Sequence, residues 1–251
     1  MKRTFIAAAA AALIGLTSAQ SAEIKLISAN GMREVIAETK ATFEKASGHT
    51  LAVTVVETGA IRKRVLDGEA FDVIMVPRAN SDEFLKAKRL AAGSQTPLIR
   101  VGFGLAVRAD APRPDTSTTD GLRKTFLAAK QVMITDPATG GISGVHLMEV
   151  LNRLGIAEEM KPKLLPQRGS GHHAERVVKG EADLAVQAEH EIRCVPGAVF
   201  LDYPKEFQRS IVFIGGIGAA TTDAGAAKAY LSFVTGPQVA PVIKAKCLAP
   251  A

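Results

Sequence analysis

Four times in this chain an apolar segment runs into a turn of small polar residues, and the turn opens a stretch with helical spacing. The turns are Ser28-Ala29-Asn30-Gly31, Thr58-Gly59-Ala60, residues 136–144 and Gly169-Ser170-Gly171-His172. Strand followed by helix, repeated, restricts the chain to parallel βαβ units, because a helix must carry each strand back to the same edge. Each turn also leaves the first backbone N–H groups of its helix unpaired, with the positive end of the helix dipole behind them. Several such ends converging on one cleft make an anion site without a cationic side chain. For a single turn, ordinary helix capping accounts for the same residues. Four of them in both halves of the chain favour a binding cleft.

The N-terminus is set apart from the fold. Lys2 and Arg3 precede an apolar run over residues 5–16, too short to span a bilayer, followed by Thr17, Ser18 and Ala19. This reads as a secretory signal peptide over residues 1–22, cut after Ala19 or Ala22, which predicts a periplasmic protein. The exported part loses two of the 31 Lys and Arg against 25 Asp and Glu, leaving a mild positive balance that suits an anionic ligand. Basic residues are scattered, Trp is absent and Tyr occurs twice, so no base-stacking platform for nucleic acid is expected. Cys194 and Cys247 are the two thiols; an even count in an exported chain permits a disulfide, and sequence alone does not place them within reach.

Glu23–Ser28 and residues 51–56 and 71–76 read as buried strands rich in β-branched side chains. Met32, Val35, Ile36, Thr39 and Phe43 form a helical stripe ending at Gly48, and Ile61 with Val65 mark a helix ending at Gly68. A long strand over 98–107 leads into a Pro-stiffened linker. A second series follows: strand Val132–Thr135, a helix lined by Val145, Met148, Leu151 and Leu154, a helix over 172–179, and a strand over 182–187. A second long strand is expected over 207–219, then helices around 227–234 and 239–245. Gly68-Glu69-Ala70 and Gly180-Glu181-Ala182 each sit between a helix end and a strand, an echo that fits two similar lobes. The expected fold is therefore α/β with two βαβ lobes, residues 23–102 plus 214–251 and residues 103–213. Two crossing strands join them, and the ligand lies beyond the strand ends.

Taken in order, these features resemble the periplasmic solute-binding proteins of ABC transporters, in particular the type II group that contains the molybdate-binding proteins. Residues 28–43, 66–76, 135–155 and 179–187 carry the likeness, as does the C-terminal Gly236-Pro237-Gln238 after its helix. The resemblance implies capture of a small anion by hinge closure, delivery to an inner-membrane ABC permease, a monomer, and no cofactor. In that family neutral donors at helix starts hold an oxyanion. Matching the helix stripes puts the family's first serine on Gly31 and its second on Thr58. A backbone-binding alanine falls on Ser143, the fourth position near Ser170, and a hinge tyrosine at Gln187 or Ala188. The candidate ligand-binding residues are thus Ser28, Asn30, Gly31, Thr58, Gly59, Gly141, Ser143, Ser170, His172 and Gln187. Hydroxyls are missing at Gly31 and at the hinge, where Asn30 and Gln187 offer amides instead. That shifts the expected ligand from a molybdate-type oxyanion toward a small carboxylate.

Residues 107–114 and 136–144 also resemble, more distantly, the periplasmic aconitate isomerases, which implies an alternative as an isomerase of a polycarboxylate. His172 is then the base. Glu189-His190-Glu191 lacks the spacing of a metal site, so no metal is expected. Arg78 follows a strand at the crevice edge, where a guanidinium grips carboxylates well, but a surface role explains it equally. Lys86, Lys88 and Arg89 read as an exposed helix face, and Gly102-Phe103-Gly104 as a bulge or hinge inside a strand.

Overall fold

The computed structural model describes residues 21–168 and 173–251. The signal-peptide segment before Ser21, together with Ser170 and His172, lies outside the described residues. In chain order the strands are β1 (Glu23–Ser28), β2 (Thr50–Val55), β3 (Val73–Pro77), β4 (Thr96–Arg108), β5 (Val132–Thr135), β6 (Leu164–Gln167), β7 (Leu184–Ala188), β8 (Ala198–Asp202), β9 (Ser210–Ile217) and β10 (Ala249–Pro250). The helices are α1 (Arg33–Ser47), α2 (Thr58–Leu66), α3 (Arg78–Lys86), α4 (Thr119–Ala128), α5 (Ile142–Arg153), α6 (Ala157–Met160), α7 (His173–Val178), α8 (Glu189–Arg193), α9 (Ala224–Val234) and α10 (Ala240–Ala245).

Helix α1 forms because Val35, Ile36, Thr39 and Phe43 recur on one face, which is buried against the sheet. It stops at Gly48, whose φ of 75° turns the chain back and lets its N–H donate to the Glu44 carbonyl. Strand β3, Val-Ile-Met-Val-Pro, is buried throughout, as a strand covered on both faces must be. It pairs parallel with β1, which pairs parallel with β2. The second series repeats the plan, with β5 parallel to both β6 and β7.

The strand order is β2-β1-β3-β9-β4-β7-β5-β6. Strand β4 serves both halves: residues 96–102 pair antiparallel with β9, and residues from Phe103 onward pair with β7 and β8. The partner changes between Gly102 and Phe103. A Cβ on Gly104 would stand 2.5 Å from the Leu201 carbonyl, so glycine is what allows β8 to approach there. The fold is thus α/β and two-lobed, with β4 as one crossing. The second long strand is shorter than expected: Lys205–Phe207 is a 3-10 turn and β9 begins at Ser210. Phe207 is buried and its carbonyl lies 3.0 Å from His146 Nε2, which fixes that residue as a corner.

The stripe of α5 also departs from expectation. Val145 is 37% exposed, and the buried face runs through Ser143, His146, Leu147, Val150 and Leu151. His146 holds a core position because the Phe207 carbonyl satisfies one ring nitrogen and Phe103 and Tyr203 pack against the ring. Cys194 and Cys247 are bridged, with Cα atoms 5.8 Å apart. Among the described residues no helix is long and apolar enough to cross a membrane.

Candidate functional site

In both parallel series the turns leave the carboxyl ends of the strands, where open α/β sheets place their ligands. After β1 the chain makes a 3-10 turn over Asn30–Met32 and enters α1. After β2, Glu57 precedes the first turn of α2, where Thr58 sits. After β5, the Asp136 carboxylate accepts from the Ala138 N–H, Pro137–Thr139 make a 3-10 turn, and Gly140 at φ 77° redirects the chain into α5. Among the described residues no side chain caps the start of α2 or α5. Their first N–H groups are therefore left to solvent or ligand.

Strands β2 and β5 stand near opposite ends of the strand order, yet the turns that follow them touch. A Cβ on Gly59 would lie 2.6 Å from the Thr139 carbonyl oxygen and 3.0 Å from Gly140 Cα. The sheet curls until its two ends meet, and two glycines form the contact. Behind it lies a cavity of about 50 Å³. Thr58, Thr135 and Ser143 supply its hydroxyl side, with Ser143 Oγ 3.0 Å from Thr135 Oγ1. Val101, Phe103, Ile142, Ile211 and Phe213 form an apolar wall. Asn30, Glu57, Gln187, His190 and Glu191 complete the lining.

The last group is electrostatically unusual. Arg33 donates to Asn30 Oδ1 at 2.9 Å, and Asn30 Nδ2 donates to Glu57 Oε1 at 2.9 Å. Burial still pushes the Glu57 carboxyl above its ordinary range, against the lowering effects of Asn30 and Arg33. Glu191 accepts from the Ala188 N–H at 3.3 Å, but burial, with the Glu57 charge adding to it, raises its pKa to about 7. His190 is 8% exposed and burial lowers its pKa to about 4, so it is neutral near pH 7.

Of the residues anticipated for the site, Asn30, Gly31, Thr58, Ser143 and Gln187 line the cavity together. Ser28 does not: it is fully buried at the end of β1, and its hydroxyl donates to the Ala29 carbonyl. Gly59 is taken up by the contact with Gly140, and Gly141 packs on the Thr135 side chain. Gly31 lacks room for a side chain, since a Cβ there would sit 2.5 Å from the Phe213 ring. The Gln187 carbonyl oxygen accepts from the Ala174 N–H at 2.9 Å, so part of that amide is committed to the start of α7. Arg78 is exposed at the start of α3 and is not among the cavity residues. Sequence reasoning missed Glu57, Thr135, His190 and Glu191 as neighbours of the cavity. Their signal was position, for Thr135 ends β5, Glu57 follows β2 directly and α8 starts at the end of β7.

A family model described as bacterial extracellular solute-binding protein matches residues 24–246. The chain belongs to that family. Among relatives of this solute-binding protein, aconitate isomerase from Pseudomonas sp. is 27% identical over 236 residues, 90% of this chain and 87% of its own length. The molybdate-binding protein ModA of Rhodobacter capsulatus is 25% identical over 231 residues, 92% of this chain and 89% of its own. In fold, the periplasmic molybdate-binding protein of Azotobacter vinelandii superposes with a TM-score of 0.71 at 19% identity, over 91% of this chain and 99% of that one.

Proposed function

We propose that this solute-binding protein works in the periplasm, after removal of residues 1–22, as a monomer. It captures a small anion between its lobes, residues 23–102 plus 214–251 and residues 103–213, and delivers it to an inner-membrane ABC permease. One observation carries the reading. Thr58 and Ser143 stand at uncapped helix starts on opposite halves of the sheet and line one cavity. An anion there bridges both lobes and stabilises the closed state over the open one. The ligand is a small carboxylate in preference to molybdate, because Phe213 fills the space a hydroxyl at residue 31 would need.

A second reading is favoured by a separate observation: Glu57, His190 and Glu191 place three titratable groups at the cavity. Isomerisation of an aconitate-like acid needs a base to take a proton from the methylene carbon and an acid to return one to the far alkene carbon. Glu191, with a pKa of about 7, suits either step better than a fully ionised carboxylate. His172, outside the described residues, is the other candidate base.

A thermal-shift and calorimetric panel on refolded, ligand-free protein tests both, with molybdate, sulfate, fumarate, succinate and trans-aconitate. Carboxylate binding without a change in the ultraviolet absorbance of trans-aconitate is expected. Submicromolar molybdate affinity with no carboxylate response reverses the ligand class. Steady conversion by the wild type, lost in Glu191→Gln or His172→Ala, replaces the binder by the isomerase.

A further inference from the structure

Glu57 and Glu191 face one small cavity, and no cationic side chain is among its described lining residues. Arg33 lines the adjoining space and donates to Asn30, whose amide donates in turn to Glu57, and its charge lowers both carboxyls by less than burial raises them. A second, wider cavity of about 380 Å³ adjoins the first and shares Asn30, Gln187, His190 and Glu191 with it. The charged groups around Glu191 can therefore be named. Arg33 and Glu34 come from α1, Glu57 from the start of α2 and Glu175 from α7. His190 and Glu189 are its neighbours on α8, and Lys246 approaches from the C-terminal end. Lys246 is paired with Glu38 at 3.3 Å, and Arg193, the cation on α8, with Glu189 at 2.5 Å, so neither cation is paired with Glu191.

With both carboxyls ionised, an entering anion would meet two negative charges at close range in a largely desolvated space. A single proton on the pair removes one of them and turns that carboxyl into an O–H donor, the group an anion's lone pairs require. The same cavity carries an apolar wall of Val101, Phe103, Ile211 and Phe213, which matches a carbon skeleton and offers no donor to a tetrahedral oxyanion.

We infer that the cleft takes up its anion together with one proton, held between Glu57 and Glu191, and thereby selects small carboxylic acids with an apolar body over permanently charged oxyanions. This rests on the anion-binding reading above. The raised pKa of both carboxyls points the same way. The sign follows from linkage. Binding that takes up a proton weakens by about tenfold per pH unit once the pH exceeds the carboxyl's pKa in the free protein. A cationic ligand would release protons and show the opposite slope.

Isothermal calorimetry with succinate, fumarate and trans-aconitate, in phosphate and in Tris at about pH 7.5, counts the protons through the two buffer enthalpies. An uptake between about one half and one proton is expected for the wild type. Glu191→Gln retains an acceptor for the Ala188 N–H and offers a permanent donor. It should bind near the wild type's low-pH affinity, with uptake close to zero and a flat pH profile. Tight binding without uptake, or with release, overturns this inference and leaves the anion reading standing when uptake is zero. Failure of all three carboxylates and of molybdate to bind overturns both.

Discussion

Substituting Gly59 by alanine isolates closure from binding chemistry. Alanine keeps the backbone N–H and the start of α2, so no donor is removed. The added Cβ would stand 2.6 Å from the Thr139 carbonyl oxygen and 3.0 Å from Gly140 Cα, where ordinary contacts begin near 3.4 Å. The two turns must part by several tenths of an ångström or more, against backbone on both sides. Overpacking of that kind costs about 1–3 kcal/mol, and on the proposed capture mechanism the cost falls on the closed state alone. Affinity should therefore drop by roughly 5- to 150-fold. On the proposed reading the lobes separate in the ligand-free protein and the strain disappears, while alanine in place of glycine adds at most about 0.5–1 kcal/mol of helix stability. The expected pattern is a weaker Kd by calorimetry with an unchanged or slightly higher Tm without ligand, and a larger radius in solution scattering at saturating ligand. Unchanged affinity would show that the contact is not part of the bound state. A fall in the ligand-free Tm matching the loss of affinity would show that it belongs to the fold itself.

Thr58→Val and Ser143→Ala each remove one hydroxyl at the cavity and should weaken carboxylate binding by about 1 kcal/mol, roughly fivefold, with circular dichroism unchanged. Reduction of Cys194–Cys247, which closes a 53-residue separation, should cost about 4 kcal/mol of stability by chain entropy and lower Tm by roughly 10 °C in a reductant series. Glu191 has a folded-state pKa near 7 against 4.5, so the native protein binds more protons than the unfolded chain between those values and loses stability as pH rises through them. Glu191→Gln should then exceed the ligand-free wild type by about 3 kcal/mol at pH 8 and match it below pH 4.5, read as Tm against pH. His190 works in the opposite sense: its pKa falls from 6.5 to about 4, so its contribution to stability is lost as pH drops from 6.5 toward 4, and His190→Gln should flatten that acid limb.

The strand–turn–helix rhythm was legible because it is local. β1 and β5 coincide with the expected strands, and the α1 stripe and its Gly48 stop follow from spacing and from one positive φ. Where tertiary partners decide, pattern reading slipped. His146 takes a core place that Val145 was expected to fill, because a carbonyl 61 residues away satisfies its ring. β8 was unmarked, since its residues are only partly buried and it owes its existence to pairing with β4. The helix-start side of the cavity was legible for the same local reason as the strands. Its carboxyl side was not. Glu57 and Glu191 lie 134 positions apart in the sequence, and nothing in either neighbourhood announces that the other is there. An acidic residue next to a helix start ordinarily reads as a solvated cap.

The two sides of the cavity together bear on how a tightly held ligand is ever released. A guanidinium in the cleft would attract an anion over many ångströms and keep part of its grip after the lobes part. Hydroxyls, helix-end amides and a protonated carboxyl act only at hydrogen-bond distance, so separation by an ångström or two removes most of their hold. The disulfide joins the end of α8, on the β7 side, to the segment that leads into β10, which pairs with the first half of β4. It therefore ties the two halves covalently near their shared strand, and on the proposed reading the Gly59–Gly140 contact is where they come apart. Under that proposal, opening there would expose Glu191 to water and favour loss of its proton, and the ionised carboxylate would then repel the departing anion. On the proposed reading, release from the cleft and release of the proton are one event, driven by the same movement.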